Sequence, residues 1–100
     1  MAPLSAALKD QNGDVREQAA FALGQIGGTA AVPGLIQALA DAKPDVRQQA
    51  AFALSQIGDA SAVDALTTAM MKDADPEVRK QAAFALGQVF GRGGHGRKKD

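Results

Sequence analysis

Apolar residues recur along the chain at helical spacing. At about 100° per residue, Val15, Ala19, Ala22, Leu23 and Ile26 fall within an arc of roughly 100°, the core stripe of one helix. Val32, Leu35, Ile36 and Leu39 form an answering stripe on a second helix. The first pattern then returns. Asp14-Val-Arg-Glu-Gln-Ala-Ala-Phe-Ala-Leu-Gly-Gln-Ile26 reappears at 45–57 with 11 of 13 positions identical, and at 77–89 with 10 of 13. Val15 to Val46 is 31 residues and Val46 to Val78 is 32. The segment Ala31–Leu39 aligns with Ala62–Met70, and Leu4 and Leu8 stand where Leu35 and Leu39 do. A period of about 30 with helical patterning predicts a stacked helical solenoid. The expected architecture is all-α: three antiparallel helix pairs over about 2–26, 30–57 and 61–90, then a tail at 91–100.

The element boundaries have chemical causes. Gly27-Gly28, Gly58 and Gly91 follow the strict helix, where a left-handed residue closes a last turn. Ser61 with Asp64 has the spacing of a capping box. Pro44 and Pro76 suit a first helical turn that needs no N–H, with Asp75 placed to cap ahead of Pro76. Asn12-Gly13 serves that turn in the first copy, and Pro33 fits a helix that begins near Ala31 or Val32.

Phe21 leaves the apolar stripe. It sits roughly 140° from the stripe's centre, and Phe52 and Phe84 repeat the placement. By phase its neighbours are Asp14, Glu17, Gln18 and Gln25. The later copies supply Asp45, Gln48, Gln49 and Gln56, then Glu77, Lys80, Gln81 and Gln88. With stacked helices about 8–10 Å apart, the three rings predict a ladder about 20 Å long in a bed of glutamine. Two readings stay open. Each ring packs on its neighbours as part of a wide core, or the row faces a ligand or another copy as an interaction surface.

Composition narrows the function classes. Ala supplies 22 of the 46 hydrophobic residues, while sheet formers are scarce, which fits closely packed helices around a thin core. Eleven basic and 11 acidic residues balance, so neither nucleic acid nor an anionic membrane is an expected partner. With no Cys and one His, thiolate sites and multi-histidine metal sites are excluded. No apolar run approaches the roughly 20 residues of a membrane helix, and Lys9 and Asp10 interrupt any signal-like start. A soluble, cytoplasmic protein is expected. The tail carries Arg92, Arg97, Lys98 and Lys99 against Asp100, whereas 1–90 carries 7 basic and 10 acidic side chains. Four glycines in the tail's ten residues oppose a stable helix. A Gly/Arg tail can grip RNA or an acidic partner, but this one has no aromatic to stack on a base. His95 lies in it, without the fixed surroundings that catalysis needs. No catalytic residue, metal or cofactor is expected.

At the strict helices the sequence resembles the HEAT-like repeat family, in its short-period branch also found in phycobilin lyases. The matching signature is Asp-Val-Arg-x-x-Ala-Ala-x-Ala-Leu-Gly-Gln-Ile-Gly, at 14–27, at 45–58 with Ser55 for Gly, and more loosely at 77–91. The resemblance implies a right-handed superhelix that binds other proteins on the concave side of the strict helices. Carried across, the binding positions are Glu17, Gln18 and Phe21, then Gln48, Gln49 and Phe52, then Lys80, Gln81 and Phe84; the helical wheel adds Gln25, Gln56 and Gln88. It also implies that Arg16, Arg47 and Arg79 join aspartates in a ladder between repeats. Neither end reads as a polar cap, so exposed ends are expected. The expected function is a non-catalytic module for a protein or peptide. The alternatives are a structural unit that associates into homo-oligomers, or a fragment of a larger regulatory or lyase-type protein.

Overall fold

Among the described residues, six α-helices arise where the periodicity places them. The computed structural model describes residues 2–93, with side chains from 4 to 91. Helix α1 (Ala2–Ala6) runs into a 3-10 turn at Ala7–Lys9 and is followed by α2 (Gly13–Ile26). Helices α3 (Val32–Ala38) and α4 (Pro44–Ile57) form the second pair. Helices α5 (Val63–Lys72) and α6 (Pro76–Gly93) form the third. The strict helices α2, α4 and α6 stack side by side in one layer, and α1, α3 and α5 lie against them in a second. No strand occurs among the described residues. The architecture is the all-α solenoid of three antiparallel helix pairs that the repeat predicts.

Helix starts are set by side chains. Asn12 Oδ1 accepts from the N–H groups of Asp14 (2.8 Å) and Val15 (3.2 Å), and Asp75 Oδ1 accepts from Glu77 N–H at 2.8 Å. Both satisfy donors that a first turn leaves unpaired. Pro44 and Pro76 occupy first helical positions, and α3 begins at Val32 just before Pro33. The cap of the third pair differs from the capping-box expectation. Asp59, not Ser61, accepts a backbone bond, from Ser61 N–H at 2.8 Å, and a 3-10 turn intervenes before α5. Gly58 (φ +74°) and Gly28 (φ +59°) supply the left-handed residues after α4 and α2. Gly91 does not play that part: α6 continues through it to Gly93, because the position of Gly58 is taken by Phe90. The rest of the basic tail, with His95, lies outside the described residues.

Leu23, Leu35, Leu54, Leu66, Val46 and Val78 are fully buried and form the aliphatic seam. Alanine fills the contacts between stacked helices: Ala20, Ala50, Ala51, Ala53, Ala82 and Ala85 are all at 0% exposure. Two members of the predicted stripe fall outside this core. Val15 is 40% exposed and Ile26 64%, although their counterparts Val46 and Val89 are buried. No described helix packs on the outer side of α2, and α1 is only five residues long. The cover that α2 and α3 give α4 is therefore missing for α2.

Candidate functional site

Two side-chain systems recur down the stack. The first holds the repeats together. In every copy an aspartate closes the turn before the strict helix: Asp10 accepts from Asn12 N–H, Asp41 from Lys43 N–H and Asp73 from Asp75 N–H, at 2.8–2.9 Å. In every copy an arginine Nη1 donates to the carbonyl of that aspartate at 2.8 Å, Arg16 to Asp10, Arg47 to Asp41 and Arg79 to Asp73. The remaining edge of the guanidinium reaches the next repeat. Arg16 Nε and Nη2 grip Asp41 at 2.7 and 3.1 Å, and Arg47 grips Asp73 at 2.8 and 3.1 Å. These are bidentate fork-to-fork pairs. Burial pushes the Asp41 carboxyl up, and the bonds from Arg16 and from Lys43 N–H outweigh it, leaving it below its ordinary value. Arg79 departs from the expected ladder. It meets no carboxylate among the described residues, because no described repeat follows α6.

The second system is the outward face of the α2–α4–α6 layer. Phe21 is 43% exposed, Phe84 50%, and Phe52, with a strict helix on each side, is half-buried. The helical wheel's outward phase therefore holds for the two terminal rings and half-holds for the central one. Phe52, Gln56, Phe84 and Gln88, with Ser55, line one cleft of about 190 Å³ between α4 and α6. Ser55 is 2% exposed, and its hydroxyl donates to Phe52 C=O at 2.5 Å, so its polarity is spent inside the helix. Gln25 Nε2 donates to Gln56 Oε1 at 3.0 Å, tying α2 to α4 across the same face. Phe21 and Gln18 belong to a different depression. They border an apolar groove with Leu4, Ala7, Val15 and Ala22 at the α1–α2 end.

The other candidates divide. Lys80 is exposed, with its ammonium 3.8 Å from Glu77, and Gln48 is half-buried. Glu17 is drawn into the seam, where Lys43 Nζ meets Asp14 at 2.6 Å and Glu17 at 3.5 Å. The hydrogen bond from Lys43 holds the Asp14 carboxyl below its ordinary value and raises the lysine. Lys43 escaped the sequence reading because it precedes the strict copy, where the other repeats carry Asn12 and Asp75. Gln49 and Gln81 are not presented as binding groups at their oxygens. Both Oε1 atoms are shut from water with no donor in reach, a cost of about 1–3 kcal/mol each. Gln18, at the same repeat position, is exposed.

With this geometry in view, comparison with known proteins identifies the family. The family model for HEAT repeats matches residues 1–87. The chain belongs to the HEAT-repeat family. No curated protein matches it. Among solved structures, human deoxyhypusine hydroxylase in complex with glycerol is similar at TM-score 0.80 and 32% identity, over 88% of this chain and 31% of that one. The complex of CpcE and CpcF of phycocyanin lyase from Nostoc sp. PCC7120 is similar at TM-score 0.80 and 32% identity, over 86% of this chain and 35% of that one. This HEAT-repeat chain thus spans about a third of the length of either neighbour. Among the described residues, no helix is long and apolar enough to cross a membrane, and no group of three or more His, Cys, Asp or Glu is placed to hold a metal ion.

Proposed function

We propose that this HEAT-repeat chain is a non-catalytic module that holds a protein or peptide on the concave, outward face of its strict helices. The observation behind it is the convergence of Phe52, Gln56, Phe84 and Gln88 on one cleft between α4 and α6. A half-exposed ring supplies an apolar anchor. A glutamine carboxamide both donates and accepts, so it can pair with a peptide backbone in either sense. Gln25, through its bond to Gln56, links α2 to that cleft. Several carboxylates have structural partners: Asp14, Asp41 and Asp73 in ion pairs, Asp59 and Asp75 in caps. The test is a peptide selected from a random library on the immobilised chain, with its affinity then measured for the parent, Phe52→Ala and Phe84→Ala. A loss of tenfold or more, about 1.4 kcal/mol, is expected for each ring on a folded variant. Equal affinity for all three proteins would end the proposal.

A second reading has one observation in its favour. The chain covers 31% and 35% of its two structural neighbours, as a segment of a larger regulatory or lyase-type protein would. The length of the natural reading frame decides it.

A further inference from the structure

We propose that copies of this chain stack head to tail, the α6 end of one copy on the α1–α2 end of the next, continuing the seam that joins α2 to α4 and α4 to α6. The two ends of the described stack are complementary halves of a contact the molecule already makes twice.

The packing shows it first. A Cβ added to Gly24 would meet Ala53 Cα and Cβ at 2.7 Å, so the strict helices approach closely there. Gly87 holds the same repeat position on α6 and has nothing within 4 Å. Beside it Ala83 is exposed, whereas its counterparts Ala20 and Ala51 are at 0%. The other half of the contact waits at the opposite end. Ala22 is the counterpart of Ala53 and is half-buried, where Ala53 and Ala85 are at 0%. Val15 next to it is 40% exposed against 0% for Val46 and Val78.

The ion pairs show it independently. Arg16 and Arg47 each grip the turn aspartate of the following repeat. Arg79 has no such partner among the described residues, and the carboxylate of Asp10, the first turn aspartate, accepts from Asn12 N–H of its own turn and meets no arginine fork of an earlier repeat among the described residues. A second copy in the internal register brings the two together. The two open groups are opposite in charge, the Arg79 guanidinium at one end and the Asp10 carboxylate at the other. A second copy is the fitting occupant because each group missing at one end is present at the other, at the same repeat position. Such a contact is heterologous, so it propagates into an open chain instead of closing on a dimer. It uses neither Phe52 nor the cleft between α4 and α6.

The experiment is sedimentation of the intact chain from about 10 μM to about 1 mM, a range that brackets weak association. The mean mass is expected to rise with concentration past that of a dimer. Gly87→Arg blocks one end and Ala22→Arg the other, each at a site open in a single copy. Each variant alone is expected to stay monomeric, and an equimolar mixture to form dimers and nothing larger. Asp10→Arg and Arg79→Asp are each expected to weaken association about tenfold, in the range of a charge-assisted contact, and the double variant to recover it. Circular dichroism confirms that every variant folds. A parent that stays monomeric throughout, or association that survives Gly87→Arg, overturns the proposal.

Discussion

The middle strict helix and the first one have nearly the same sequence and different surroundings. Val46 is buried and Val15 is 40% exposed; Ala53 is at 0% and Ala22 half-buried; Arg47 and Arg16 both grip a later aspartate, yet only α4 is also covered from before. The difference teaches that in a stack of repeats burial belongs to the neighbour, not to the residue. Stability is a sum over adjacent interfaces, so one substitution should have different effects in different copies.

The largest contrast is expected in the aliphatic seam. Leu54→Ala, at a fully buried position, should cost about 3 kcal/mol. Ile26→Ala, 64% exposed, should cost less than about 1 kcal/mol. Urea unfolding midpoints at constant slope measure both. Equal losses would mean that the end of the stack is covered in solution.

The ladder comes next. Asp73→Ala leaves the guanidinium of Arg47 without its fork partner and should cost about 2 kcal/mol. Arg79→Ala removes only bonds to carbonyls at an exposed site and should shift stability by about 0.5 kcal/mol or less. Glycine substitutions reverse sign along the stack. Gly24→Ala must push against the backbone of Ala53 and should lose about 1–3 kcal/mol. Gly87→Ala, with open space around it in a helix, should gain about 0.5–1 kcal/mol. Thermal midpoints of the two variants on either side of the parent would bear this out.

The smallest effect is in acid. The carboxyls of Asp14 and Asp41 lie below their ordinary value of 3.8 in the folded chain. Groups depressed in this way contribute stability that is full above the unfolded value and is lost as pH falls through the folded one. The thermal midpoint should stay level from neutral pH down to about 5 and fall below about 4. Asp41→Asn, which cannot take up that proton, should give a shallower fall; an identical acid limb would remove the Arg16–Asp41 pair from the account of stability.

Most of the fold was legible because one strict segment occurs three times in register. Val46, Leu54 and Val78 are buried where the helical wheel puts them, and the outward phase of Phe21 and Phe84 follows from the same wheel. What stayed hidden depended on the neighbouring repeat. The wheel treats Val15 and Val46 alike, since it knows nothing of which helix is covered from before. It shows Gln49 and Gln81 on the outward face, while stacking turns their oxygens into the seam. Arg16 and Arg79 read identically, although only one has an aspartate ahead of it. Lys43 carried no signal because the repeat does not preserve its position, and Phe90 in the place of Gly58 extended α6 past the boundary that a glycine would have set.

The most direct measurement is a map of backbone amide chemical shifts as a library-selected peptide is titrated into the chain. The expected result is a cluster of perturbations at Phe52, Gln56, Phe84 and Gln88, fading toward both ends of the stack. A cluster confined to Val15 and Ala22, or to Ala83 and Gly87, would contradict it and leave the outward face of the strict helices without a binding role.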